Sequence, residues 1–229
     1  MSIGLDAVNL EQAVRDADVS RSSAYAAWAN DERSPQENFQ RSVLMHTIED
    51  RKVGLEELTT RLTALIEELH GTVTMRELMR EIIREAADSN MEATTDSIGW
   101  KLAIALGATL HSAPEDQRDQ ELVEWMNESA VALREYTVER MYKPLTAAFG
   151  LKPRPQYGER AYELGEVCIA AVSDGFAMRY WLNTRSYLDG FEHHAIEGGE
   201  AKWSMHAMIF EQIAEMLFVP ESGSWDNFE

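Results

Sequence analysis

Apolar residues recur along this chain chiefly at helical spacing. Met205, Met208, Ile209, Gln212, Ile213 and Met216 fall at i, i+3, i+4, i+7, i+8 and i+11, one continuous seam along a helix. Ala161, Leu164, Cys168, Ala171, Val172 and Gly175 form a similar stripe of smaller side chains upstream. Alternation of apolar and polar residues between turn signals is nowhere sustained, so the pattern predicts an all-α fold. The expected helices are Leu10–Asp16, Ser20–Ala29, Pro35–Lys52, Leu55–His70, Met75–Asn90, Thr94–His111, Pro114–Phe149 with a kink at Pro144, Tyr157–Leu188 and Glu200–Phe218.

Polar residues mark several of the ends. Ser34-Pro35-Gln36-Glu37, Thr74-Met75-Arg76-Glu77 and Ser112-Ala113-Pro114-Glu115 each set a hydroxyl three residues ahead of a glutamate. In that spacing the hydroxyl caps one free backbone N–H and the carboxylate reaches back to another. Gly71 suits the close of one helix, Gly150 with Pro153 and Pro155 stops another, Gly198-Gly199 opens a loop and Pro220 ends the last apolar segment. Segments before Pro35 are short and polar, those after it long and amphipathic. The expected organisation is a unit over residues 1–50, including a connecting helix, and a larger helical body over 51–229.

Within the first unit the stretch Val19–Trp28, "VSRSSAYAAW", stands out. Leu10, Ala13 and Val14 supply the inner face of a short helix, Val19 plugs a turn, and Ala24 with Trp28 gives an i, i+4 inner stripe on a second helix capped by Ser20. Arg21, Ser22, Ser23, Tyr25 and Ala26 are left outward or sideways, the arrangement in which a helix-turn-helix lays its second helix in a DNA major groove. Hydroxyls there reach phosphates or base edges, and an arginine neutralises a phosphate or reads guanine.

The run "GLDAVNLEQAVRDADVSRSSAYAAWA" resembles the N-terminal segment of tetracycline-repressor-family transcription regulators, with Gly4, Leu10, Ala13, Val14, Ala17, Val19, Ser20, Ser23, Tyr25 and Trp28 at matching positions. The resemblance covers about the first 40 residues by motif and the remainder by architecture alone. It implies a homodimer that binds a palindromic double-stranded DNA operator, usually as a repressor, and releases it when a small molecule enters the helical body. It also implies that Ser23 and Tyr25 contact the DNA backbone, that Arg21, Ser22 and Ala26 lie among the base and phosphate contacts, and that Trp28 is a buried aromatic. The fold expected is thus all-α: a helix-turn-helix unit with its first helix missing or truncated, then a larger ligand-binding and dimerisation domain.

Three positions depart from the family pattern. Met1-Ser2-Ile3 stands where the family has a full helix, Asp18 replaces the turn glycine, and "NDERSPQEN" carries acidic residues and Arg33 where a lysine is usual. Charge extends this: the 229 residues carry a formal net charge of -19, and residues 1–50 hold Arg15, Arg21, Arg33 and Arg41 against nine carboxylates. Phosphate neutralisation drives much of protein–DNA affinity, so weak binding with a shallow salt dependence is expected. The alternative is an all-helical ligand-binding or protein-interaction dimer whose helix-turn-helix is vestigial and binds no DNA.

For the body, the resemblance implies that the last two long helices form a four-helix dimer interface. Its residues would be Leu164, Cys168, Ala171 and Gly175 on one helix, and Met205, Met208, Ile209, Gln212, Ile213 and Met216 on the other. Trp100, Trp125, Met126, Tyr136, Met141, Phe176 and Tyr180 are candidate pocket residues for a mainly apolar effector, since ligand pockets are lined by such side chains with a few polar groups.

Catalytic chemistry finds no constellation here, so an enzyme is not expected and no cofactor is implied. His193-His194 beside Glu192 and Glu197 sits next to Gly198-Gly199 with adjacent histidines diverging, and no metal is expected. The one cysteine, Cys168, lies inside the apolar run "VCIAAV" and reads as a small buried hydrophobe. That run is far short of the roughly 18 residues needed to span a bilayer, and 45% hydrophobic composition supplies an ample core. A soluble cytoplasmic protein is expected.

Overall fold

The structure, a computed structural model, describes residues 8–29, 33–112, 120–181, 191–192, 202–223 and 225. Gly4, Glu115, His193, His194, Glu197 and the Gly198-Gly199 loop lie outside them. Helices predominate: α1 (Leu10–Asp16), α2 (Arg21–Ala27), α3 (Pro35–Leu69), α4 (Met75–Asp96), α5 (Ile98–Ser112), α6 (Gln120–Thr137), α7 (Lys143–Ala148), α8 (Arg160–Trp181) and α9 (Met205–Leu217). The all-α expectation holds. Among the described residues two short antiparallel ladders accompany the helices: β1 (Leu151–Pro153) pairs with β4 (Phe218–Pro220), and β2 (Phe191–Glu192) with β3 (Lys202–Trp203).

The chain divides into two compact units, Met1–Lys52 with Ser97–Ala130 and Val53–Asp96 with Val131–Glu229. The first break lies beside the expected boundary at 50/51. Ser97–Ala130, expected in the body, groups instead with the N-terminal segment.

In the first unit, Leu10, Val14 and Ala24 form a small buried core, with Tyr25, Trp28 and Phe39 packed against it. Trp28 and Phe39 meet edge to face at 5.1 Å. The start of α3 ties down both short helices. The Gln36 amide accepts from Leu10 N–H at 2.8 Å and donates to Val8 C=O at 2.6 Å, while Asn38 donates to Trp28 C=O at 2.7 Å. Ser34 and Glu37 exchange the predicted cap contacts, Ser34 N–H to the carboxylate at 2.8 Å and Glu37 N–H to the hydroxyl at 3.3 Å.

The second unit is built on α4, α8 and α9 packed against one another. Leu62, Leu78, Met79, Ile82, Tyr162, Ile213 and Leu217 are among its buried residues, and Ala87, Trp203, Ala207 and Phe210 form a second buried cluster. Thr74 and Glu77 cap α4 as their spacing predicts. Gly71 and Gly150 carry φ of +77° and +59° after their helices, a backbone that costs glycine little.

Several expected boundaries shift for local reasons. The two helices expected over Pro35–Lys52 and Leu55–His70 are the single helix α3; Gly54 within it costs about 1 kcal/mol, too little to break a long helix. The expected kink at Pro144 is a widened turn just before it, Val138–Tyr142, closed by a Lys143 N–H to Val138 C=O bond. Pro144 has no N–H for the carbonyl one turn back, and a wide turn is one way to absorb that loss. The last helix ends at Leu217, because Phe218–Pro220 leaves it to pair with β1.

Candidate nucleic-acid interface

The turn between α1 and α2 has a definite hydrogen-bond plan. Asp18 N–H donates to Arg15 C=O and Val19 N–H to Val14 C=O, both at 3.3 Å, and Asp18 takes φ +52°. This is the helix-ending arrangement usually given to glycine, and aspartate tolerates it better than most residues. Val19 does not plug the turn as expected. It is 50% exposed, and Leu10, Val14 and Ala24 fill the interior instead.

Ser20 caps α2, its hydroxyl accepting from Ser23 N–H at 3.1 Å and donating to the Ser23 hydroxyl at 2.6 Å. Arg21, Ser22, Ser23 and Ala26 are exposed, whereas Tyr25 is half-buried against the small core. Arg21 is already engaged: its Nη2 lies 2.5 Å from Oε1 of Glu11 on α1, and its guanidinium sits 5.1 Å from the centre of the Tyr25 ring. Tyr25 in turn donates to the same Glu11 oxygen at 3.3 Å. Contact with the Tyr25 hydroxyl first and the Glu11 charge second push the guanidinium further up from its basic value. Sequence reasoning missed Glu11 and Gln36; the i, i+10 opposite-charge pair across a hairpin turn was the available signal for the first.

The seven candidate effector residues do not share one unit. Trp100, Trp125 and Met126 belong to the first, and Tyr136, Met141, Phe176 and Tyr180 to the second. Trp100 and Met141 are buried. Trp125 and Met126 are half-buried. The Tyr136 hydroxyl donates to Glu56 at 2.5 Å, and Phe176 packs edge-on against His206. Tyr180 lines a cleft of about 270 Å³ with Asp88, Met91, Glu92, Thr95, Asp96 and Ser204. Burial pushes the Asp88 carboxyl up, against a hydrogen bond from Ser204 and the charge of Arg84.

The candidate interface stripes also divide. Ile213 is part of the second unit's own core, and Leu164, Cys168 and Ile209 pack against it. Met208 packs against the Trp203 cluster, and Met205 is half-buried. Ala171, Gly175, Gln212 and Met216 are exposed, as are Val167, Met178 and Trp181 on α8. Among the described residues no group of three or more His, Cys, Asp or Glu side chains is placed to hold a metal ion, and no helix is long and apolar enough to cross a membrane. Comparison with known proteins finds no family model, no curated protein and no solved structure that matches this chain.

Proposed function

We propose that the chain is a DNA-binding transcription regulator of the tetracycline-repressor type, a cytoplasmic homodimer released from a palindromic operator by a mainly apolar small molecule. The observation that supports it is the hairpin: α1 and α2 share a small core, a tight turn joins them, and Ser20 caps a second helix with Arg21, Ser22, Ser23 and Ala26 exposed. These are the elements a major-groove reader needs. For the dimer, the support is the exposed apolar face of α8, with Val167, Ala171, Gly175 and Met178 along it.

Selection of duplexes from a random-sequence pool tests the reading. The expected outcome is enrichment of a two-fold symmetric sequence by the wild type and its loss with Arg21→Glu or Ser22→Asp. Sedimentation is expected to give a dimer, dissociated by Met178→Glu. The charge of the hairpin, with Glu11 paired to Arg21 and Asp16 and Asp18 on the same hairpin, favours the second reading, a helical interaction or ligand-binding dimer with a vestigial hairpin. A dimer that enriches no sequence at low salt decides for that one.

A further inference from the structure

We propose that Glu11 is an internal competitor for the DNA backbone, an autoinhibitory carboxylate that occupies Arg21 until a phosphate displaces it. The inference rests on the DNA-binding reading above and specifies how that surface is regulated.

Two contacts converge on one carboxylate oxygen, and a third joins the two groups that make them. Glu11 Oε1 receives Arg21 Nη2 at 2.5 Å and the Tyr25 hydroxyl at 3.3 Å, and the Tyr25 ring lies beneath the guanidinium. Arg21 and Tyr25 are two of the groups the hairpin would offer to DNA. A guanidinium has a limited fork of donors, and carboxylate and phosphate oxygens both fit it. Bringing a phosphate to Arg21 therefore exchanges one ion pair for another and sets the phosphate beside the displaced carboxylate, so little free energy is gained. The pair is solvent-accessible, with Arg21 70% and Glu11 46% exposed, and exchange requires no opening of the core.

A contact that merely staples α1 to α2 makes the opposite prediction. Losing a staple loosens the hairpin and weakens binding, whereas losing a competitor strengthens it.

The experiment measures binding of a fluorescein-labelled random-sequence duplex at several salt concentrations to the full chain and to Glu11→Gln, Arg21→Gln, the double variant and Asp16→Asn. Asp16 carries the same charge on the same helix and is hydrogen-bonded to Gln12. The expected result is a gain of about threefold in affinity for Glu11→Gln, a salt slope steeper by about one, and a smaller gain for Asp16→Asn. The gain from Glu11→Gln should shrink in the Arg21→Gln background to about that of Asp16→Asn. Weaker or equal binding by Glu11→Gln, or a gain that persists undiminished without Arg21, overturns the proposal while leaving the DNA-binding reading intact. Absence of binding by both wild type and Glu11→Gln at low salt overturns the DNA-binding reading and this inference with it.

Discussion

Arg80 on α4 and Glu211 on α9 form a largely buried ion pair, Nε to Oε1 2.7 Å, with the side chains 17% and 7% exposed. The guanidinium also lies 5.3 Å from the centre of the Trp203 ring. Removing one partner of such a pair strands the other charge, which typically costs about 3–5 kcal/mol. Glu211→Gln is therefore expected to lower the urea midpoint of the second unit sharply. Replacing both, as Arg80→Met with Glu211→Leu, should recover most of the loss, because the desolvation of two ions is removed together with their attraction. A double variant no more stable than the single one would contradict this.

His206 predicts the acid response. Its ring is fully buried, with Nδ1 3.0 Å from Ala87 C=O and Nε2 3.0 Å from the Ser173 hydroxyl, so it pins α9 to α4 and α8. A carbonyl can only accept, so Nδ1 carries the proton of the neutral ring. Burial lowers the pKa to about 4 from 6.5, against the backbone bond to Ala87, which raises it. Between these values the unfolded chain binds a proton that the folded one refuses, so stability falls as pH drops through the window, by about 3 kcal/mol in all. Below about pH 4 the histidine adds no further slope. Asp88 and Glu166, whose carboxyls burial pushes up, act in the opposite sense. The histidine's share is isolated by subtracting the pH–stability curve of His206→Gln from that of the wild type.

Two turns give a matched pair of substitutions. Asp18 carries φ +52° where the helix end favours glycine. Asp18→Gly is expected to raise the stability of the hairpin by up to about 1 kcal/mol. Gly150 carries φ +59° after α7, and Gly150→Ala should cost about 1–2 kcal/mol. Thermal melts of the two variants should move in opposite directions.

Gln36 clamps the start of α1 through two bonds, one accepted and one donated. Gln36→Leu leaves the Leu10 N–H without that partner, at an expected cost of about 1–3 kcal/mol. Trp28 fluorescence, read in a chain whose other tryptophans are replaced by phenylalanine, should report the hairpin loosening before the second unit melts.

Much of this architecture could be read from short-range chemistry. Ser34 with Glu37 and Thr74 with Glu77 announced two helix starts, and Gly71 and Gly150 two ends, because capping is decided by neighbours in the chain. The hairpin was readable for the same reason. Whether a stripe serves the core or a partner was not. Ile209 and Ile213 show the periodicity expected of either, and only the packing of α9 on α4 and α8 assigns them to the unit's own interior. His206 is one of six histidines in the sequence, and Phe210 one turn on is the cue to its apolar setting. The grouping of Ser97–Ala130 with the first unit left no trace in composition.

The ladder that pairs Leu151 with Pro220 and Pro153 with Phe218 also dictates an order of events during synthesis. Strand β1 leaves the ribosome well before its partner, and α8 is made between them. Until Val219 has emerged, Lys152 has no strand to pair with, and Leu78, Met79 and Tyr162 lack the cover that Ile213, Leu217 and Phe218 supply. A nascent chain stalled just short of α9 should therefore expose an apolar surface that chaperones recognise and proteases reach, and release past Phe218 should bury it in one step.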